Sequence, residues 1–253
     1  VGINLKIMRK IFLTLAIVSG LLTACDSVET DNVSKVTQYP TITVQGDAVV
    51  FVPQGGTFTD PGVVAMEGEN VIPTVATAEG VYRHEESLNL NVPDEYIVTY
   101  TATNKDGFKA TGQRKVIVYK TGDLVNSIEG VYTCTISRNG AIPSNAYRNI
   151  KYIYIWKNAD GTYEVSDAFG GWYQYGRALG IGYITPGGTI NAVDIATNNF
   201  TFPGNPLTNT GFGGVANITG LTVDASTKTV VMNCGWTAPT VYAFVATMTQ
   251  VQL

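Results

Sequence analysis

Tyr96-Ile97-Val98-Thr99-Tyr100-Thr101-Ala102-Thr103-Asn104-Lys105-Asp106-Gly107 is the stretch that decides the fold. Side chains alternate across a strand with period two, so Tyr96, Val98, Tyr100 and Ala102 share one face while Ile97 and three threonines share the other. Asn104-Lys105-Asp106-Gly107 has the composition of a hairpin turn, with Gly107 able to take the positive φ that closes it. Lys109–Tyr119 reads as the return strand.

Working upstream, Tyr39–Val44 and Ala48–Val52 alternate or run apolar, broken by Gln45-Gly46-Asp47 and Pro53-Gln54-Gly55-Gly56. Downstream, Thr121-Gly122-Asp123 marks a junction, beyond which the strands become longer and more aromatic. They are expected at Gly130–Ser137, Ile150–Trp156, Tyr163–Asp167, Leu179–Thr185, Thr189–Ile195, Phe200–Phe202, Ile218–Asp224, Thr229–Cys234 and Val241–Gln252. Asn158-Ala159-Asp160-Gly161 and Asp224-Ala225-Ser226-Thr227-Lys228 supply turns between them. Sequential strands with short turns point to a lipocalin-like barrel or a flattened sandwich, and closure would remove exposed edges.

Phe58-Thr59-Asp60-Pro61-Gly62-Val63, followed by Pro93-Asp94-Glu95 and the hairpin, resembles the bacterial immunoglobulin-like domains of surface proteins. A "DPG" loop and a "GxYxVTYTATDxxG" hairpin recur in that family. Here Asp94 and Glu95 stand where a small residue is usual, and Asn104 replaces an aspartate. Tyr96 falls where a tyrosine corner would pin a strand end. The expected fold class is therefore all-β: an immunoglobulin-like sandwich at 37–120, then a second antiparallel β domain at 124–253. The resemblance implies a spacer or adhesion module, and fold alone assigns no activity. Asp60, Asp94 and Asp106 carry the oxygens calcium takes, but aspartates beside Pro or Gly are also turn formers, and no metal is expected.

The N-terminal region reads as an export signal. Lys6, Arg9 and Lys10 precede an apolar run from Ile11 to Leu22. As a helix that run spans roughly 18 Å, short of the ~30 Å hydrocarbon core of a bilayer. Residues 1–24 are expected to be a cleavable signal whose biological start is Met8. Leu22-Thr23-Ala24-Cys25 resembles the lipobox of bacterial lipoproteins, which implies that Cys25 carries the lipid through a thioether. An ordinary secretory signal is the alternative. Asp26, Glu29 and Asp31 make 25–36 an acidic tether, similar to the export signal of Bacteroidetes-type surface lipoproteins, and Asp26-Ser27-Val28 resembles their O-glycosylation site. The expected location is the outer membrane, anchored by the lipid and facing the cell surface.

Composition narrows the chemistry. The chain has 253 residues, 45% hydrophobic and 14% charged, with a net charge of −4. A negative balance argues against nucleic acid, since phosphate binding needs a basic face. There is one histidine, His84, so a multi-histidine metal site is excluded and a Ser-His-Asp arrangement would have to use it. His84 reads as a solvated loop or strand-edge residue. A carboxylate-pair hydrolase stays formally open, though no enzyme activity and no cofactor are expected. Cys134 and Cys234 lie on expected strands in an exported chain, as either a disulfide closing a loop of about a hundred residues or two separate buried thiols.

Ser166-Asp167-Ala168-Phe169-Gly170-Gly171-Trp172-Tyr173-Gln174-Tyr175-Gly176-Arg177 is the densest feature. On an exposed loop, Trp172, Tyr173 and Tyr175 would stack on sugar rings, with Trp236 as a further wall and Asp167, Gln174 or Arg177 bonding hydroxyls. The same rings would alternatively fill the interior of the β domain. Tyr163–Asp167, Gly170–Tyr173 and Gly176-Arg177 behind an immunoglobulin-like domain resemble a group of two-domain Bacteroidetes-type lipoproteins of unassigned function. The expected function is non-catalytic carbohydrate binding through the C-terminal domain. The alternative is protein–protein adhesion or envelope assembly with a protein partner; carriage of an apolar ligand inside a barrel is a further reading.

Overall fold

The hairpin that turns at Asn104–Gly107 is the frame of the first half of the molecule. In a computed structural model that describes residues 37–237 and 240–253, β6 (Asp94–Thr103) pairs with β7 (Lys109–Tyr119) from Asp94↔Val118 to Thr103↔Lys109. The stretches read as signal peptide and acidic tether, with Cys25 between them, lie outside the described residues. Gly107 takes a φ of +86°, and the Asn104 side-chain oxygen accepts the N–H groups of Asp106 and Phe108.

β2 (Val49–Pro53) runs parallel to β7, and β5 (Thr74–Gly80) flanks β6, giving a four-stranded sheet β2-β7-β6-β5. β1 (Pro40–Val44), β3 (Val63–Glu67) and β4 (Asn70–Val71) form the opposing sheet. Val52, Tyr96, Val98, Tyr100, Val116 and Val118 are the core between them, the alternating face of the hairpin. Tyr96 donates its hydroxyl proton to the Val92 carbonyl at 3.0 Å, the tyrosine corner. Arg114 is buried, and its charge is held by Asp60 at 3.3 Å and by the carbonyls of Gln45 and Asp47. Asp60 also takes the Gly62 N–H, and Asp94 takes those of Tyr82, Arg83 and Glu95. Both aspartates thus build turns.

The second half is one nine-stranded antiparallel sheet curled into a half-barrel. Its strands are β8 (Gly130–Arg138), β9 (Ile150–Lys157), β10 (Tyr163–Val165), β11 (Gly187–Asp194), β12 (Asn199–Thr201), β13 (Leu207–Asn209), β14 (Gly213–Asp224), β15 (Thr229–Trp236) and β16 (Tyr242–Gln250), in the order β12-β11-β10-β9-β8-β16-β15-β14-β13. The segment between β12 and β13 ties the two ends together. Gly204 N–H donates to the Thr189 carbonyl, and the Asn205 amide brackets the backbone of Ile218. Tyr132 repeats the corner device, donating to the Ile128 carbonyl at 2.6 Å. Leu179–Thr185 is not the expected strand: Gly180 turns at φ +83°, and Ile181–Tyr183 is a single 3-10 turn.

Tyr39–Leu253 pack as one compact unit, and the reason lies on the outer face of β2 and β7. Phe51, Ile117 and Tyr119 point away from the sandwich core and meet Val131, Tyr152, Tyr154, Trp156 and Val251. An outward face that is apolar must be covered, and here β8 and β9 cover it.

Candidate functional site

The aromatic stretch enters the half-barrel and does not stand on its surface. Asp167 is buried and accepts the N–H groups of Phe169 (2.9 Å), Thr185 (3.0 Å) and Gly171 (3.0 Å). Burial pushes its carboxyl up to about 6, against the pull of those three donors. Gly170 and Gly171 adopt positive φ, and Trp172–Gly176 forms one π-helical turn. Phe169 stacks on Phe244 at 4.2 Å, Trp172 lies 4.2 Å from Tyr147, and Tyr173 sits between Phe212 (5.0 Å) and Trp236 (5.9 Å).

Of the six residues expected to bind a ligand, Asp167, Trp172, Tyr173 and Trp236 are core; Tyr175 is half-buried and Arg177 exposed. Of the two readings the sequence left open, an exposed stacking platform and rings that fill the interior, the three rings follow the second, and Asp167 ties their loop. Burying each large ring contributes about 1.5–3 kcal/mol, and a half-barrel this wide needs such volume. The same side chains occupy the interior that an apolar ligand would require.

Cys134 and Cys234 are free, buried thiols, which corrects the disulfide alternative. They lie on β8 and β15, and β16 runs between those strands. Two strand spacings of about 4.8 Å exceed the ~4.4–6.8 Å Cα separation a disulfide spans.

What the loop does present to solvent is its far end, and it faces the immunoglobulin-like sheet. Tyr82 packs at a tilt against Tyr154 (5.4 Å) and Trp156 (5.7 Å), and its hydroxyl meets that of Tyr175 (3.3 Å) and the Gln174 amide nitrogen (3.0 Å). Deeper in the seam, Glu95 is held at both oxygens, by Lys115 Nζ and by the Tyr154 hydroxyl, each at 2.6 Å. A cleft of about 680 Å³ opens beside this network, lined by Glu79, Gly80, Val81, His84, Glu95, Ile97 and Lys115 from one side and Gln174, Tyr175, Ala178, Gly180 and Ile181 from the other. That volume lies within the ~300–1,000 Å³ of small-molecule sites.

Gln174 is the informative residue of the cleft. Its Nε2 donates to Tyr82, but its buried Oε1 has no hydrogen-bond partner. A buried unpaired acceptor costs about 1–3 kcal/mol. The indole N–H groups of Trp172 and Trp236 are also unpaired, but those rings lie within the packed core. Burial, helped by Glu95 and opposed by the Tyr82 hydrogen bond, raises the Tyr175 phenol to about 12, and burial raises Tyr82 further, so both hydroxyls stay protonated. His84 is exposed at the mouth, as its charged surroundings predicted. Glu79, Lys115 and Ile181 were not singled out by the sequence, and Glu95 was noted only as a departure from the family's small residue.

Residues 121–250 match a family model described as a C-terminal domain, and residues 42–118 match the family described as bacterial surface protein, Ig-like domain. The fold is similar to the crystal structure of the lipoprotein BT2262 from Bacteroides thetaiotaomicron, with a TM-score of 0.60 and 23% identity, covering 84% of this chain and 100% of that one. No curated protein matches in sequence. The chain belongs to the family defined by the 121–250 domain, and it carries a bacterial surface protein Ig-like domain ahead of it.

Proposed function

We propose that this chain is a lipid-anchored, outer-membrane surface protein that binds carbohydrate in the cleft between its two β domains and catalyses no reaction. The make-up of the cleft carries the reading: Tyr175, Ile97 and Ile181 wall it, and Gln174, Glu79 and Glu95 add polar groups to the lining. Sugars present donor-rich edges and apolar faces, which suits a lining of tyrosine, aliphatic side chains, amide and carboxylate. Cys25 would hold the lipid, a reading supported by the lipoprotein that shares this fold.

The carboxylates support binding over hydrolysis. A glycosidase needs two working carboxyl groups, but Glu95 is engaged at both oxygens, leaving Glu79 as the unheld one in this lining. Affinity electrophoresis through gels containing single polysaccharides is the test. The protein is expected to be retarded by at least one polysaccharide, and Gln174→Leu or Tyr175→Ala to run free. Absence of retardation across a broad panel, with a stoichiometric protein captured from the native envelope, would favour the adhesion reading.

A further inference from the structure

Among the described residues, all sheet edges but one are blunted. In the nine-stranded sheet the edges β12 and β13 have three residues each and are shifted in register against their neighbours. In the smaller sandwich sheet β4 has two residues, and β1 begins at Pro40. In the four-stranded sheet β2 ends at Pro53. Short strands, prolines and irregular register keep an edge from pairing with another chain. β5 has none of these devices. It runs seven residues, Thr74-Val75-Ala76-Thr77-Ala78-Glu79-Gly80, in unbroken register with β6, and its one charge sits near the end.

The free side of β5 follows residue by residue from its end. Gly80 N–H points away from β6 and donates to the Glu85 carbonyl, whereas Val81 N–H donates to the Glu95 carbonyl, each at 2.8 Å. Backbone direction alternates along an antiparallel strand, so Thr74, Ala76 and Ala78 point outward with Gly80, and Val75, Thr77 and Glu79 bond to β6. Among the described residues no strand pairs with the outward side, and Glu85 covers its Gly80 end. Thr74, Val75, Ala76 and Thr77 are exposed, Val75 at 68%. Such a row of outward N–H and C=O groups is a template for adding a strand.

We infer that β5 pairs antiparallel with β5 of a second copy of this chain, centred on Ala76. Self-complementarity is what favours a second copy. This register sets Ala76 against its twin and Thr74 against Ala78, so each outward pair exchanges two N–H···O=C bonds. Val75 then lies opposite Thr77 on one face, and on the other the small side chains of Ala76 and Ala78 let the strands approach. Glu79 falls opposite Pro73 of the copy. The two Glu79 carboxylates stand roughly 20 Å apart, six steps of about 3.4 Å, beyond the ~8 Å screening length. Pairing stops where Glu85 covers Gly80, which leaves the cleft beyond it open. It is independent of what that cleft binds.

Single cysteines placed in turn from Thr74 to Ala78 of the full chain, then oxidised on intact cells, read the register. Cys134 and Cys234 are buried and do not compete. Ala76→Cys is expected to give the most disulfide-linked dimer, because its pair stands about 5.5 Å apart at Cα, within the ~4.4–6.8 Å a disulfide spans. Thr74→Cys and Ala78→Cys, each roughly 13 Å from its twin, should give at least five-fold less, as should Thr101→Cys on β6. In sedimentation equilibrium the purified chain should associate to a dimer, weakened at least ten-fold by Val75→Lys or Ala76→Pro. Proline at 76 removes an outward N–H and spares the bonds to β6, and position 75 is exposed enough to take lysine without loss of fold. Cross-linking no greater at Ala76→Cys than at the ends overturns the pairing. So does a purified chain that stays monomeric, or a dimer that neither variant weakens. A disulfide from Ala76→Cys to a different protein assigns the edge to another partner and equally overturns self-pairing.

Discussion

Asp167 shows at the scale of one residue how position overrides type. Next to Trp172 in sequence it reads as a hydroxyl binder, yet it is the knot that ties the plug to the start of β11's approach, through Phe169, Gly171 and Thr185. Its carboxyl titrates higher in the folded chain, at about 6, than the 3.8 of a free aspartate. Its contribution to stability is therefore complete below the unfolded value and is lost as pH rises through the folded one. Over that window the loss approaches about 3 kcal/mol. Thermal melts between pH 4 and 8 should show this component, and Asp167→Asn should abolish it while costing about 1–3 kcal/mol, because the new amide turns a donor toward Gly171 N–H. The cysteines give a second check. Burial raises both thiols, Cys234 to about 12 and Cys134 further, so alkylating reagent should modify neither in the native protein and both in denaturant without reductant.

At the scale of elements, legibility followed alternation. The β6–β7 hairpin could be read because its two faces differ in kind, and a fixed turn sets the register. The plug stayed one of two readings, because glycines and rings look alike whether a loop stands in water or folds inward. Burial was decided by the room inside a curled sheet, which no local pattern records. Gly170 marks that decision. A Cβ there would lie 2.8 Å from Ala246 Cβ and 3.1 Å from Cys134 Sγ, at a φ of +59°. Gly170→Ala should destabilise by about 2–4 kcal/mol in urea titrations, combining overpacking with left-handed strain. Gly161→Ala, also at positive φ but with open space around it, should carry the strain alone and cost about 1 kcal/mol.

For the whole molecule, the signal that the two β domains dock was present in apolar residues on the wrong face. Phe51, Ile117 and Tyr119 alternate with the core positions Val50, Val52, Val116 and Val118, so both faces of that sheet needed cover. The cleft itself was not legible, since Glu79 and His84 meet Gln174–Ile181 through that docking across some ninety residues. Docking through Tyr82, Tyr154 and Trp156 predicts one cooperative unfolding transition by calorimetry. Trp156→Ala should cost about 3–5 kcal/mol and split the transition in two. Tyr154→Phe should cost about 1–3 kcal/mol, leaving a buried Glu95 oxygen unpaired.

Hydrogen exchange on the protein with and without a retarding polysaccharide addresses the seam most directly. Backbone amides at 79–84 and at 174–181 should slow together on binding, because ligand in the cleft touches both domains. Protection confined to one domain, or appearing only at the far rim around Phe212 and Val241, would contradict a site on the seam.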